Sequence, residues 1–246
     1  MKSLDSSESR GFSIGCDNEA NRHAWVRTTL GKIPPGARIL DAGAGTQRYR
    51  EFCGHLNYVA QDFAQYDGVG DKVGLQTGAF NYGKLDIVSD IQAVPEPDES
   101  FDAVLCTEVL EHVPNPAGVL REMVRLLKPE GHLILTAPFV SFTHFAPYHF
   151  CTGFNRYYYL RQFDALGLEV IELSSNGGFF DFVAQELRRV NPTAQRYARG
   201  HLTLLERLAQ KILLRALARF KASDRDSHEF ACFGLHVHAR KRSPAP

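Results

Sequence analysis

A short apolar run that ends in an acidic residue and two closely spaced glycines constrains this chain more than any other feature. Residues 38–46 read RILDAGAGT, which is typical of a buried strand entering a tight turn where glycine lets the backbone approach a ligand closely. Asp62 follows an apolar pair twenty-one positions after Asp41, where a second parallel strand would end after one crossover helix. A glycine turn alone is weak evidence, but this order of features predicts an α/β nucleotide-binding fold.

Further apolar segments continue the series: LDIVSDI at residues 85–91, FDAVLC at 101–106, and LKPEGHLIL at 127–135. The ordered set resembles the class I S-adenosylmethionine-dependent methyltransferases, and more narrowly the small-molecule branch that includes the ubiquinone-biosynthesis O-methyltransferases. The resemblance covers about residues 36–175. It implies a Rossmann-like, doubly wound sheet of seven strands, mostly parallel with an antiparallel last strand, and S-adenosylmethionine as the cofactor.

The glycine turn departs from the fingerprint of NAD-binding folds. Arg48 stands where the GxGxxG pattern would place its third glycine. The departure favours a methyl donor over a dinucleotide, because the donor is a cation and has no pyrophosphate that needs a closely approaching helix N-terminus.

The resemblance assigns the donor-binding residues. The backbone from Ala42 to Gly45, including Gly43, would pass under the methionine portion of the donor, and Asp41 would help to receive its ammonium group. Asp62 would hold the ribose hydroxyls, although a strand-terminal turn residue is the alternative. Asp90 and Ile91 would contact the adenine, although a turn cap is the competing account for Asp90. The remaining expected donor contacts are Gln47, Thr107 and Glu108.

An aromatic segment at residues 137–150, APFVSFTHFAPYHF, follows the predicted fifth strand. Loops at the carboxyl ends of parallel strands carry substrate contacts in open α/β folds, so we expect this segment to form the acceptor wall. His149 is the preferred general base for an acceptor hydroxyl, with His144 and His112 as rivals. A structural, hydrogen-bonded role is the alternative for each histidine. Tyr148, His144 and Arg156 are candidate substrate contacts.

The segment TEVLEHV at residues 107–113 carries a candidate metal motif. At helical spacing, Glu108, Glu111 and His112 would share one face. The resemblance associates this motif with a divalent metal in the ubiquinone O-methyltransferases, but the same pattern occurs in relatives without a metal. We therefore assign no metal and keep Glu108 and His112 as candidate catalytic residues.

Composition excludes several classes of protein. With 246 residues, 44% of them hydrophobic, the chain can bury one large core. Its 28 basic and 28 acidic residues balance, so no global field favours nucleic acid as a partner. Five scattered cysteines without a CxxC motif indicate reduced thiols and a cytoplasmic location. The polar first ten residues predict no signal peptide, and no stretch is long enough to cross a bilayer.

The predicted organisation has four parts: an N-terminal arm and helix at residues 1–35, the methyltransferase core at 36–175, a helical insertion at 176–229, and a final strand and tail at 230–246. The arm is expected to be flexible to about residue 17, and its helix either forms a lid over the cofactor or packs on the sheet edge. Within the core, residues 63–82 read as a functional or a mobile loop. Strands are expected at 168–173 and 230–239, and helices at 19–30, 115–127 and 156–166.

The insertion carries an apolar stripe beside a row of basic residues. The stripe consists of Leu202, Leu205, Leu208, Ile212, Leu213 and Ala216, and the row of Arg207, Lys211, Arg215, Arg219 and Lys221. Three interpretations remain open: packing on its own sheet, which is the preferred one, a homodimer interface, and a peripheral helix resting on an anionic membrane.

The expected function is the transfer of a methyl group from S-adenosylmethionine to a small molecule, at oxygen rather than at nitrogen or carbon. Methylation of a glycan or lipid-linked intermediate, N-methylation of a small amine, and a non-catalytic donor-binding protein are the alternatives.

Overall fold

The computed structural model describes residues 13–243, and in that range seven strands form one sheet. In chain order they are β1 (Arg38–Ala42), β2 (Asn57–Asp62), β3 (Ile87–Val88), β4 (Phe101–Thr107), β5 (Leu127–Pro138), β6 (Leu168–Asn176) and β7 (Gly234–Lys241). Their spatial order is β3-β2-β1-β4-β5-β7-β6. The pairs β1–β2, β1–β4, β2–β3 and β4–β5 are parallel, and β7 runs antiparallel to β5. The predicted fold class is confirmed.

Five α-helices lie in the described range: α1 (Asn18–Leu30), α2 (Pro116–Leu126), α3 (Arg156–Ala165), α4 (Phe179–Thr193) and α5 (Leu204–Ala222). Side chains cap three of them at the first turn. Asn115 accepts from the Gly118 backbone N–H at 3.1 Å, Asn155 from that of Tyr158 at 3.1 Å, and Thr203 from that of Glu206 at 3.3 Å. Within residues 13–243, no helix combines the length and the apolar character needed to cross a bilayer. The prediction of flexible residues before position 13 lies outside the described residues.

Several predicted boundaries were wrong. The third strand covers only Ile87–Val88. The Asp86 carboxylate before it accepts from the Ala60 N–H of β2, and the Asp90 carboxylate after it accepts from the Gln92 N–H and so caps a turn. A short 3₁₀ helix, Arg50–Cys53, replaces the expected crossover helix between β1 and β2. The helix predicted to reach residue 127 ends at Leu126, and the last strand begins at Gly234, after a 3₁₀ turn at Ser227–Glu229.

The middle of the sheet is fully buried, so a ligand site is expected at the ends of its strands. Ile39 and Leu40 of β1 and Val104 and Leu105 of β4 have no exposed surface. From β1 the chain proceeds towards β2 and β3 on one side, whereas β4 lies on the other side. Ligands of open α/β sheets bind at the carboxyl ends of the strands where the strand order reverses in this way.

The described residues divide into two compact units. One consists of residues 22–174 and 234–243 and contains most of the sheet, with a core in which Val26, Leu30, Ile39 and Ile134 pack together. The other consists of residues 13–21 and 175–233 and contains α4 and α5. The domain boundaries proposed from sequence stay a prediction. All five cysteines are free thiols, as the sequence predicts.

The second unit has a small core of its own. Ile14, Ala184 and Leu214 are buried together, and the Lys221 ammonium group lies 2.7 Å from the Asp181 carboxylate. The apolar stripe of α5 does not pack on a sheet as preferred from sequence, because most of its members face solvent. The stripe residues with the largest exposure are Leu205 at 75%, Ile212 at 56% and Leu208 at 52%.

Candidate active site

A cavity of about 730 Å³ lies at the carboxyl ends of β1 to β4. Its volume falls within the range of roughly 300 to 1,000 Å³ that is typical of small-molecule sites. The sequence-predicted donor residues that line it are Gly43, Gly45, Asp62, Asp90, Ile91, Thr107 and Glu108. The structure therefore brings together most of the residues that were assigned to the donor.

The turn after β1 needs both of its glycines. Gly43 has φ +74° and Gly45 has φ +52°, a region that costs residues with a Cβ about 1 kcal/mol or more. A Cβ on Gly43 would also come within 2.6 Å of a Val109 methyl carbon. The turn therefore brings bare backbone to the cavity wall. Ala42 is the last residue of β1, is buried and lies outside the lining.

Asp62 ends β2 beside this turn, and both of its carboxylate oxygens accept backbone hydrogen bonds. Oδ2 accepts from the Gly45 N–H at 2.9 Å and Oδ1 from the Ala64 N–H at 3.0 Å. Burial raises the pKa of Asp62 above its ordinary value, and these N–H donors oppose that rise. The carboxylate is thus fixed at the cavity wall, while its ribose contact remains a prediction.

Besides Ala42, two predicted donor residues lie away from the cavity lining, Asp41 and Gln47. Asp41 is buried under the turn, where the Tyr58 hydroxyl donates to it at 2.5 Å, and burial raises the pKa of Asp41 to about 7. Gln47 instead fixes a neighbouring loop, since its amide donates to the backbone carbonyls of Tyr82 at 2.7 Å and Lys84 at 2.8 Å. The geometry gives no support to a donor contact for either residue.

Asp90 and Ile91 line the cavity just after β3. Asp90 Oδ1 accepts from the Gln92 N–H at 2.9 Å, so the residue also caps a turn, as the competing account held. One carboxylate oxygen can cap the turn while the other is directed at a ligand, because a carboxylate has about four acceptor positions.

Glu108 is held by two partners and does not lie on a helix. Its backbone is left-handed, with φ +54°. Oε1 accepts from the Thr136 hydroxyl at 2.9 Å, and Oε2 lies 2.8 Å from a guanidinium nitrogen of Arg22. A 3₁₀ turn, Leu110–His112, follows it. The prediction that Glu108, Glu111 and His112 share one helical face is therefore wrong.

Arg22 is a site residue that the sequence reasoning missed. It lines the cavity from α1, and its side chain is only 15% exposed. The same helix also packs at the sheet edge, where Trp25 donates to Glu172 at 2.7 Å and stacks on His236. The only signal in the sequence was a basic residue in the helix before the first strand, which is common and unspecific.

We expect Arg22→Gln to weaken the binding of S-adenosylhomocysteine about tenfold, because a charged hydrogen bond contributes about 1.5–3 kcal/mol. The reason is that we expect the Arg22 guanidinium, which lies beside Glu108 on the lining, to contact the carboxylate of such a ligand. Affinity for 5′-methylthioadenosine, which has no carboxylate, should not change. Calorimetry with both ligands checks this. Arg27→Gln on the same helix, where the guanidinium lies over Phe52, is the control, and an equal loss for both ligands would contradict the assignment.

Three histidines from the predicted acceptor region gather in one cluster. The ring centroids of His112 and His144 are 4.6 Å apart, and those of His144 and His149 are 4.8 Å apart. Only His112 of the three lines the cavity. His149 Nε2 lies 3.1 Å from the Ser141 hydroxyl, and His144 Nδ1 lies 2.8 Å from the Phe142 carbonyl. The geometry thus favours the rival His112 over His149.

The tautomer of His112 follows from its partner. Nδ1 lies 2.5 Å from the backbone carbonyl of Tyr148, and a carbonyl only accepts, so Nδ1 carries the proton and Nε2 keeps its lone pair. Burial, followed by the neighbouring His144, lowers the pKa of His112 to about 3. The ring is therefore neutral at physiological pH, and Nε2, which carries the lone pair, lies 3.7 Å from the Glu111 carboxylate.

Two loops form an aromatic wall over the cavity. Phe145 donates its N–H to the Leu75 carbonyl at 2.9 Å, and Leu75 donates to the Thr143 carbonyl at 3.0 Å, which ties residues 63–82 to the predicted acceptor segment. Phe145 stacks on Tyr66 with centroids 4.6 Å apart. The first loop contributes four aromatic lining residues that were not assigned to the site from sequence, although the aromatic density of this loop was a signal. They are Phe63, Tyr66, Phe80 and Tyr82.

The two remaining substrate candidates differ in position. Tyr148 lines the cavity and contacts Phe63 edge to face at 5.0 Å. Arg156, the first residue of α3, is exposed and lies outside the lining, with its guanidinium over Tyr157. A substrate contact from Arg156 has no geometric support.

A cation could be held beside the cavity, but by a different set of residues from the one in the sequence motif. One ligand atom each from Glu111, His112 and His144 lies within 4.8 Å of the others. Glu111 is buried, and its Oε2 has no hydrogen-bond partner among the described residues. Two imidazoles and a carboxylate fit a divalent transition metal. Glu108 is not part of this set, since Arg22 and Thr136 already bind it.

Residues 40–135 match the protein family described as "Methyltransferase domain". Among curated proteins, the chain is similar to a ubiquinone biosynthesis O-methyltransferase of Xanthomonas oryzae pv. oryzae, with 39% identity over 104 residues, which are 41% of this chain and 43% of that protein. The match thus spans less than half the length of the curated relative. The resemblance predicted from sequence is confirmed over this region.

Solved structures share the fold across more of the chain. The cyclase SpnF aligns with a TM-score of 0.52 and 19% identity over 92% of this chain and 82% of that one. Phosphoethanolamine N-methyltransferase 2 of Haemonchus contortus, solved in complex with S-adenosyl-L-methionine, aligns with a TM-score of 0.51 and 16% identity over 91% of this chain and 53% of that one. At these identities the likeness concerns the fold, and a fold shared with a cyclase does not specify the reaction.

Proposed function

We propose that this chain, whose residues 40–135 match a methyltransferase-domain family, transfers a methyl group from S-adenosylmethionine to a hydroxyl group of a small molecule. The observation that carries the proposal is one cavity whose lining combines two chemical features. These are a glycine turn with fixed carboxylates, and a neutral histidine among aromatic rings.

The donor fits the strand side of the cavity. Asp62 presents a carboxylate at the place where the ribose hydroxyls would lie, and Asp90 with Ile91 would contact the adenine. Bare backbone at Gly43 and Gly45 allows the methionine portion to approach closely. Glu108 can attract its ammonium group and Arg22 its carboxylate, so that the ion pair between them matches the two charges of the amino acid.

The acceptor fits the aromatic side. Methyl transfer is an in-line displacement, in which the acceptor oxygen forms a bond to the methyl carbon while the carbon–sulfur bond breaks and sulfur becomes neutral. A hydroxyl acceptor must also lose its proton, which His112 Nε2 can take. The rings of Tyr66, Phe80 and Phe145 would exclude water and hold a flat acceptor in line with the donor.

Oxygen as the methylated atom has two supports. A neutral histidine on the acceptor side provides the base that a hydroxyl needs, whereas a neutral amine can attack with its own lone pair. The curated relative named above is an O-methyltransferase. The expected acceptor class is therefore a small hydroxylated molecule with an apolar or aromatic body.

Calorimetry on ligand-stripped protein tests the cofactor first. We expect S-adenosylmethionine and S-adenosylhomocysteine to bind with micromolar affinity and NAD not to bind, because Arg48 stands on the lining where a dinucleotide site needs a glycine. Methyl-labelled donor with a panel of phenols, alcohols and amines then tests the reaction. Absence of donor binding would refute the proposal, and label transfer only to amines would refute the assignment to oxygen.

A further inference from the structure

The outward side of α5 carries an apolar face, which we define as Leu204, Leu205, Leu208 and Ile212. These side chains are 87%, 75%, 52% and 56% exposed. The opposite side of the helix is covered, since Leu214 is buried with Ile14 and Ala184 and Lys221 pairs with Asp181. The apolar face is therefore not the side that holds the unit together, and contiguous exposed apolar surface of this kind marks an interaction site.

A row of cations runs along this face. Four basic residues recur at a spacing of four, which places them in one line along a helix, and all four are exposed: Arg207, Lys211, Arg215 and Arg219. The helix contains one carboxylate, Glu206, whose oxygen already accepts from the Thr203 backbone at 2.7 Å and from its hydroxyl at 2.8 Å. In a chain with no net charge, α5 concentrates positive charge beside exposed leucines.

We propose that α5 binds the surface of an anionic lipid bilayer. The helix would lie in the plane of the surface, with the apolar face at the boundary between headgroups and acyl chains and the cation row against the lipid phosphates. Burial of apolar area and attraction to anionic headgroups are the two contributions that drive such binding, and each basic residue near the surface adds to the second.

Charge decides between a bilayer and a second copy of this chain. Pairing two α5 faces would bring two cation rows together, and the helix offers no carboxylate outside its cap to neutralise them. An anionic bilayer supplies compensating negative charge along the whole length of the helix. The proposal does not depend on methyl transfer, and its test uses neither donor nor acceptor.

Vesicle flotation of the full chain tests the proposal. We expect the protein to float with vesicles of phosphatidylcholine mixed with phosphatidylglycerol, to stay at the bottom with phosphatidylcholine alone, and to be released by high salt, which screens the cation row. Flotation with neither lipid, or equally with both, would overturn the proposal. Light scattering on the same sample would identify a dimer as the alternative occupant of the apolar face.

Variants separate the two driving terms. Leu208→Asn with Ile212→Asn should abolish flotation by removing buried apolar area, and Lys211→Glu with Arg219→Glu should abolish it by reversing charge. Val190 on α4 is also an exposed apolar residue, at 45%. The variant Val190→Asn is therefore the matched control, and the protein that carries it should float normally. All the changed side chains are exposed, and a circular dichroism melt of each variant confirms folding. Normal flotation of either double variant would contradict the proposal.

Discussion

Replacing His112 with asparagine will lower turnover about 10²-fold, the lower end of the usual contribution of a general base, because a histidine with a lowered pKa is a weak base. His112 is the histidine of the cluster that lines the cavity, and its Nδ1 is committed to the Tyr148 carbonyl. Asparagine can keep that hydrogen bond through its amide while removing the lone pair of Nε2. Donor affinity should therefore stay unchanged, so that the loss appears in kcat with any hydroxyl acceptor.

The matched control for this variant is His149→Asn. His149 belongs to the same cluster but lies outside the lining, beside Ser141, so we expect its replacement to change turnover much less. A strong loss in His149→Asn with normal turnover in His112→Asn would restore the preference drawn from sequence. Equal turnover in both variants and the unmodified protein would show that the acceptor needs no base, as an amine would not.

Asp62→Ala will weaken the binding of S-adenosylmethionine by about two orders of magnitude. Each charged hydrogen bond contributes about 1.5–3 kcal/mol, and tenfold in affinity corresponds to about 1.4 kcal/mol. Asp62 would receive two ribose hydroxyls, and it also fixes the Gly45 and Ala64 backbones. Calorimetry gives the affinity, and a thermal melt shows whether the fold is retained.

Asp86→Ala is the control for this prediction. Asp86 accepts a backbone hydrogen bond from Ala60 at 2.9 Å but does not line the cavity. A 2′,3′-dideoxy analogue of S-adenosylhomocysteine, which lacks both hydroxyls, separates ribose binding from support of the turn. It should bind the unmodified protein weakly and lose little more affinity in Asp62→Ala, because the two changes remove the same contact. Fully additive losses would overturn the ribose assignment.

Features governed by local backbone chemistry could be predicted from the sequence. Gly43 and Gly45 mark the turn because few other residues tolerate positive φ, and Asn115 marks a helix start because its side chain satisfies an otherwise unpaired N–H. Glu108 has no such signature. Its left-handed backbone, set by the surroundings, moved it out of the helical face that its spacing predicted.

Features set by distant contacts could not be predicted in the same way. Arg22 reaches a carboxylate 86 residues away along the chain, and Leu75 joins two loops through backbone bonds that leave no residue preference. Periodicity showed that α5 is amphipathic, but periodicity does not tell which face of a helix is covered. The preference for sheet packing failed at Leu205 and Ile212 for this reason.

The division of the cavity between strand ends and loops has an evolutionary consequence. The proposed donor contacts lie where β1, β2 and β4 end, so that changing them would disturb the buried middle of the sheet. The acceptor wall rests on two loops joined by a few backbone bonds, and loops accept substitution and insertion more readily than strands. Descendants of this chain can therefore acquire new acceptors by loop substitutions alone, with the same donor retained.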